Sequence, residues 1–65
     1  GRSVYDGLVE GYDPYTDSYY GRTYMDSPDI DNTIIFTCGY EIENGEIVPV
    51  EIFDKDEYAL IGEAV

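Results

Sequence analysis

A chain of 65 residues forms one domain with a thin core, because folding at this size buries only about 60% of the unfolded chain's surface. Fifteen acidic residues against three basic ones give a net charge of −12, which disfavours RNA or DNA binding and favours a basic protein partner. A single cysteine and no histidine exclude an internal disulfide, a cysteine-based metal site and histidine catalysis.

No signal for export or membrane insertion is visible. No apolar run approaches the roughly 20 residues that span a bilayer. The start of the chain also lacks the basic, apolar and small-residue progression of a signal peptide. We therefore expect a cytoplasmic protein. Because the chain begins with Gly1 instead of methionine, we expect residues 1–65 to be a single-domain fragment of a larger protein.

Residues 3–10 predict the first strand, since they are rich in valine, tyrosine and leucine. Residues 11–18 predict a polar loop, because Asp13-Pro14 is a turn signal. Asp13 and Asp17 could suggest calcium, but this stretch lacks the glycine and the closing glutamate of an EF-hand loop. We therefore interpret it as a solvated loop.

Residues 19–25 predict a second strand that leads into the acidic corner, residues 26–31 with the sequence DSPDID. Gly21 interrupts the strand and indicates a bulge or a close approach of another segment. Arg22 follows it and is one of only three basic residues. Pro28 breaks the strand, because proline lacks an N–H donor and has a fixed φ.

Residues 33–40 predict the third strand, and the run Ile34-Ile35-Phe36 is typical of a strand buried on both faces. Cys38 is interpreted as a small buried side chain, since a reactive thiol needs nearby cations. Residues 41–46 predict a hairpin connection through Asn44-Gly45. A strict two-residue turn would misplace the apolar face of the next strand, so we expect a longer or bulged loop there.

Residues 46–53 predict the fourth strand, with Val48, Val50 and Ile52 on one face. Pro49 is expected where its missing N–H points out of the ladder. Residues 58–65 predict the fifth strand, with Tyr58 and Leu60 on one face and a bend at Gly62. Five short strands with turn signals every 8 to 12 residues predict an all-β fold that closes into a small barrel.

Four stretches carry a family resemblance: LVEGYD (8–13), GRTYMDSPDID (21–31), NGEIVPVEI (44–52) and YALIGEAV (58–65). In this order they resemble the TRAM domain, a five-stranded antiparallel OB-like barrel at the C-terminus of radical-SAM methylthiotransferases. The acidic corner is similar to the RimO branch of the MiaB/RimO family. Enzymes of that branch methylthiolate the β-carbon of an aspartate in the twelfth small-subunit ribosomal protein.

The resemblance implies that the chemistry lies elsewhere in a larger transferase that uses [4Fe-4S] clusters and S-adenosylmethionine. The family's three-cysteine motif is absent and Cys38 does not match it, so we expect no cofactor, metal or catalytic residue in this chain. The implied partners are the basic ribosomal protein and the enzyme's own radical-SAM domain. No membrane partner is expected.

The leading hypothesis is a substrate-recruiting domain whose acidic surface binds the ribosomal protein. The predicted contact residues are Asp26, Asp29, Asp31, Glu41 and Glu43, with aromatic contacts from Tyr19 or Tyr20. Structural roles are assigned to Gly21, Arg22 and Pro28, with Arg22 bridging to an aspartate of the acidic corner.

Several alternatives stay open. The side chains of the acidic corner can cap their own turn, and the negative charge can serve solubility alone. The domain can instead be a structural lid that docks on the catalytic domain. An acidic mimic of nucleic acid that inhibits a DNA-binding protein is a further alternative.

Overall fold

The computed structural model describes residues 3–23 and 33–65, and these parts of the chain contain five strands. The strands are β1 (Ser3–Asp13), β2 (Ser18–Thr23), β3 (Thr33–Thr37), β4 (Ile47–Lys55) and β5 (Leu60–Ala64). Within these ranges, no helix is long and apolar enough to cross a membrane.

The strands close into a barrel in the order β1-β2-β3-β5-β4, with β4 pairing back to β1. This confirms the predicted all-β, five-stranded OB-like barrel. One pairing differs from an entirely antiparallel sheet, because β3 and β5 run parallel, from Ile34–Leu60 to Thr37–Glu63. The chain reverses once into β4 and again into β5, so β3 and β5 point the same way when they become neighbours.

The strand directions define two ends of the barrel. Strands β1, β3 and β5 run one way and β2 and β4 run the other. The β1–β2 turn (residues 14–17) and the β3–β4 connection (residues 38–46) therefore lie together at one end, called here the groove end. Thr23, Thr33 and the β4–β5 turn lie at the opposite end.

Alternating side chains fill the barrel, and the fully buried ones include Val9, Ile34, Phe36 and Val50. The predicted inward face of β4 is confirmed, because Val48 and Val50 are buried and Ile52 packs against the core. The prediction that β3 is buried on both faces is wrong. Ile35 lies on the outer face and is only half-buried, since a single-layer barrel leaves that face to solvent.

Strand β1 is longer than predicted and continues to Asp13, so the loop expected at residues 11–18 shrinks to a turn at 14–17. The first half of β1 pairs with β4 and the second half pairs with β2. A β-bulge between Val9 and Gly11 bends the strand between its two partners. The polar residues after Gly11 are strand residues because β2 supplies their partners.

The Asn44-Gly45 turn forms, with Gly45 at a φ of 93°, but the predicted hairpin between β3 and β4 is wrong. The turn packs on β1 instead. The Gly45 N–H donates to the Val9 carbonyl at 2.7 Å, and the Val9 N–H donates to the Glu46 carbonyl at 2.9 Å. Strand β5 occupies the place beside β3 that a hairpin would have given to β4.

The chain before β5 also differs from the prediction. Tyr58 is 75% exposed and precedes the strand, whereas Leu60 is buried, so the two do not share a face of β5. The Asp56 carboxylate holds this turn by accepting the backbone N–H groups of Tyr58 and Ala59 at 2.7 Å. Local hydrogen bonding thus overrides the β-propensity of the tyrosine.

Candidate functional site

A groove of about 610 Å³ lies at the groove end of the barrel, between the β1–β2 turn and the first part of the β3–β4 connection. It is lined by Tyr12, Asp17, Tyr19, Cys38, Gly39, Tyr40, Glu41, Ile42 and Glu43. The lining combines tyrosine rings with carboxylates. The groove exists because barrel closure brings two connections together that are distant in sequence.

One wall of the groove is an aromatic stack anchored in the core. Tyr12 is 44% exposed, and its ring centroid lies 4.9 Å from that of Tyr19 at a tilt of 58°. Tyr19 in turn stacks on the buried Phe36 at 5.9 Å. The Tyr12 hydroxyl donates to the Asp17 carboxylate, and this hydrogen bond is the main cause of the raised pKa of Tyr12. The ring of Tyr12 is therefore held by its tilted contact with Tyr19 and by the hydrogen bond of its hydroxyl.

The other wall is residues 38–43, which carry two exposed carboxylates. Ile42 points inward and is 7% exposed, so its neighbours Glu41 and Glu43 face solvent. The Tyr19 hydroxyl accepts the Ile42 N–H at 3.1 Å, which ties this wall to the aromatic stack. The Glu43 N–H donates to the Glu46 carboxylate at 2.6 Å and fixes the following turn.

Tyr40 and Cys38 also belong to this wall of the groove. Tyr40 is 57% exposed, and Cys38 is half-buried and packs against the core, close to its predicted role. The pKa of Tyr40 is raised, first by the negative charge that the neighbouring Cys38 thiol carries when ionised and then by partial burial. The tyrosine therefore remains a neutral phenol throughout the physiological range.

The two tyrosines predicted as contact residues occupy different environments. Tyr19 is only 8% exposed and its hydroxyl already has a partner, so it supports the groove from beneath. Tyr20 is 43% exposed and lies on the outer face, where it lines a second cavity of about 320 Å³ with Ile35 and Thr33. Of these two tyrosines, Tyr20 is the one whose ring is exposed. Tyr12, which was not among the predicted contacts, exposes its ring at the groove.

The acidic corner lies outside the described residues. Asp26, Pro28, Asp29 and Asp31 therefore have no structural account here, and their roles stay predictions. The described residues that flank the corner, Thr23 and Thr33, lie at the end of the barrel opposite the groove. Glu41 and Glu43 are brought together with each other and with Tyr19, but not with the strand ends that lead into the corner.

Gly21 and Arg22 sit side by side on β2 with different surroundings. A Cβ atom on Gly21 would overlap the Leu8 carbonyl oxygen, so the predicted close approach of another segment is confirmed. Arg22 pairs with Glu10 of β1, with Nε and Oε1 3.5 Å apart and both side chains well exposed. Such an exposed pair contributes about 1 kcal/mol at most. Its predicted bridge to an aspartate of the acidic corner lies outside the described residues.

Tyr12, Asp17 and Tyr40 are groove residues that the sequence analysis did not select. The first two were assigned to a solvated loop and Tyr40 to a strand. One sequence feature could have pointed to Tyr12 and Asp17. They lie on either side of the Asp13-Pro14 turn, and a short chain reversal there brings their side chains together. The groove itself could not be predicted in this way, because it forms where the β1–β2 turn meets the β3–β4 connection, which is distant in sequence.

No cluster of three metal-binding side chains occurs within residues 3–23 and 33–65. The whole sequence has a single cysteine, so this chain cannot itself provide a three-cysteine cluster motif.

A small closed five-stranded barrel with an open groove at one end has the architecture of the OB-like class of folds. The chain belongs to the TRAM domain family, whose family profile matches residues 2–65.

Its relatives include three bacterial proteins named ribosomal protein uS12 methylthiotransferase RimO. The chain is 45% identical to the protein from Acetivibrio thermocellus over 95% of its length. It is 48% identical to that from Clostridium novyi over 91% and 44% identical to that from Syntrophotalea carbinolica over 89%. The chain spans only 13–14% of the length of these relatives.

Proposed function

We propose that the chain is the substrate-recruiting domain of a ribosomal protein methylthiotransferase. Its acidic surface binds the basic protein substrate and brings it to the catalytic part of the enzyme. The observation that carries the proposal is a net charge of −12 on a domain whose relatives are named for a ribosomal protein. Ribosomal proteins of this kind are basic, so charge attracts the two partners to each other.

The charge is available to a partner at the groove. Glu41 and Glu43 are exposed there, and Asp17 stands on the facing wall. A single exposed ion pair contributes little, about 1 kcal/mol at 4 Å in water. Many carboxylates acting together raise the rate of encounter far more than they raise affinity. In this proposal Asp26, Asp29 and Asp31 add a second acidic region, and Tyr20 adds an aromatic contact.

In the same proposal, the rest of the enzyme supplies the catalysis. Its other domains would hold the [4Fe-4S] clusters and S-adenosylmethionine, and the enzyme would work in the cytoplasm, where ribosomal proteins are made. The chain contributes binding and positioning. This division is supported by a chain that spans only 13–14% of the length of its relatives.

The direct test is a titration of the isotope-labelled chain with protein uS12, followed by backbone amide shifts. At about 0.01 M salt charges act over about 30 Å, and at about 1 M over about 3 Å. We therefore expect binding at low salt that weakens at least tenfold at high salt. The absence of binding at low salt would overturn the proposal.

A matched pair of variants separates local contact from total charge. Glu41→Gln and Glu57→Gln each remove one negative charge, but Glu57 lies in the exposed β4–β5 turn at the opposite end. Recruitment through the groove predicts a larger loss of uS12 affinity for Glu41→Gln. Equal losses of uS12 affinity for the two variants would instead mean that binding depends on the net charge of the domain and not on a contact at the groove.

A specific observation also favours the lid as a second candidate function. Leu8 and Ile47 are cross-strand neighbours on the outer face. Pro49 lies two residues further along the same face of β4, opposite Asp6, and its carbonyl accepts the Val65 N–H at 3.0 Å, which brings the chain end beside it. Ile47 is 59% exposed and Val65 is 56% exposed. An apolar patch on so acidic a domain is suited to packing against another domain.

Turnover by the intact enzyme distinguishes the two functions. A lid predicts that Ile47→Gln lowers turnover, whereas the double variant Asp29→Lys/Asp31→Lys leaves it intact. Recruitment predicts the reverse order, because charge reversal repels a basic substrate.

A further inference from the structure

We propose that the groove binds an arginine side chain of a partner polypeptide, with the guanidinium stacked on Tyr12 and facing the carboxylates of Asp17, Glu41 and Glu43. This inference rests on the proposed function, since it names the chemical group through which a basic partner is held. It adds Tyr12 and Asp17 to the binding residues and gives the acidic domain a defined pocket.

The Tyr12 ring is a preformed platform for a cation. One side packs against Tyr19, which stacks on Phe36 in the core, and the hydroxyl is held by Asp17. Tyr12 is 44% exposed and lines the groove. A cation over such a ring is attracted by the negative face of the aromatic system, and the attraction is stronger when water is excluded. Because the ring is already held in place, little rotamer freedom is lost on binding.

The electrostatics of the groove favour a cation and nothing else charged. Three carboxylate residues line it and no lysine or arginine does, among the residues that the structure describes. The two cations in those residues lie elsewhere: Arg22 pairs with Glu10 on the outer face, and Lys55 ends β4 at the opposite end. A cationic side chain entering the groove therefore meets attraction from both walls.

The arrangement of the carboxylates selects an extended, planar cation over a metal ion. They do not converge into a cluster that could hold a metal, within the described parts of the chain. A guanidinium spreads five N–H donors over a plane and stacks well on an aromatic face. An ammonium is a compact and strongly hydrated charge, which suits a single carboxylate better. The volume of about 610 Å³ accommodates an arginine side chain with its flanking backbone.

The test uses three short peptides of one neutral sequence that differ only at the central residue, which is arginine, lysine or citrulline. Each is titrated into the isotope-labelled chain at low salt. We expect the arginine peptide to shift the amides of Asp17 and residues 38–43, with at least threefold tighter binding than the lysine peptide. The uncharged citrulline peptide should not bind. Equal binding of arginine and lysine, or shifts confined to other surfaces, would overturn the assignment.

Substitutions at Tyr12 then test whether its ring is the surface on which the guanidinium stacks. Tyr12→Leu removes the ring and should weaken arginine-peptide binding at least fivefold, whereas Tyr12→Phe keeps the ring and should retain binding within about threefold. Tyr58→Leu is the matched control, because Tyr58 is 75% exposed at the opposite end of the barrel. If Tyr12→Phe weakens binding as much as Tyr12→Leu does, then the ring is not the binding element and the inference fails.

The same variants separate this inference from recruitment. If Tyr12→Leu abolishes arginine-peptide binding and also weakens uS12 binding, both proposals stand. If uS12 binds the Tyr12→Leu chain as well as the wild type, the groove is not the recruiting surface and the inference fails alone. If the arginine peptide binds but uS12 does not, the proposed function fails, whereas the assignment of the groove as an arginine-binding site stands.

Discussion

Gly21 packs so closely against β1 that a single methyl group at this position should destabilise the barrel severely. In Gly21→Ala the new Cβ would overlap the Leu8 carbonyl oxygen, lie 2.9 Å from the Leu8 carbonyl carbon and lie 3.2 Å from the Val9 Cα. All three atoms belong to backbone. A side chain could rotate away, but the backbone of β1 is also paired to β4 on its other edge.

The cost follows from these distances. Carbon atoms normally pack at about 3.5–4.0 Å, so β1 and β2 must separate locally by more than about 0.5 Å. Overpacking of this kind typically costs about 1–3 kcal/mol, and each ladder hydrogen bond that is lost adds about 1 kcal/mol. We expect a total of about 3 kcal/mol or more. A domain of 65 residues has only about 3–10 kcal/mol of stability to lose.

Urea unfolding followed by circular dichroism measures this cost against two matched glycines. In Gly11→Ala the nearest atoms belong to the terminal part of the Tyr20 ring, which can swing outwards, so we expect a smaller loss. In Gly39→Ala no heavy atom lies within 4 Å, and we expect no loss or a gain of about 0.4–1 kcal/mol. If the free energy of unfolding of Gly21→Ala lies within about 0.5 kcal/mol of the wild-type value, the argument from close backbone approach is refuted.

Three further changes test other parts of the structure. Tyr19→Phe leaves the Ile42 N–H without its acceptor and should cost about 1–3 kcal/mol in urea unfolding. Asp17→Gly removes the acceptor of the Tyr12 hydroxyl, which is the main cause of the raised pKa of Tyr12, and glycine tolerates the φ of 53° at this position. Ultraviolet titration should then show that pKa moving back towards 10.0. In the wild type, this raised pKa implies stability that is fully present below pH 10 and is lost as pH rises above it, which alkaline unfolding would show. Asp56→Ala removes the acceptor of two backbone N–H groups and should lower the free energy of unfolding by about 1 kcal/mol, measured in urea.

Local chemistry was enough to predict the strands and part of their orientation. Alternation placed Val48 and Val50 inside, and a glycine within β2 indicated a close neighbour, which is Leu8. The same local rules failed for Ile35, since a run of three apolar residues does not distinguish a strand buried on both faces from one in a single-layer barrel. They failed again at Tyr58, where capping by Asp56 decided the conformation.

The pairing of the strands could not be predicted from neighbouring residues. Asn44-Gly45 forms its turn, but whether a turn joins paired strands depends on what else competes for their edges. Here β5 pairs with β3 through Ile34–Leu60, and β4 turns to β1. One sequence feature did argue against a hairpin. A two-residue turn at Asn44-Gly45 would have paired the apolar face of β4 with the wrong residues of β3.

The parallel β3–β5 pairing also explains why the groove exists. If β4 had followed β3 as a hairpin partner, the connection of residues 38–46 would have been a tight reversal beside its own strands. Because β5 takes that place, the connection must cross the end of the barrel, where Gly45 bonds to Val9 and Ile42 bonds to Tyr19. Crossing there sets Glu41 and Glu43 opposite Tyr12. The groove is therefore a consequence of how the barrel closes. If it binds arginine as proposed, changes that loosen closure, such as Gly21→Ala, should also weaken arginine-peptide binding by lowering the fraction of folded chain.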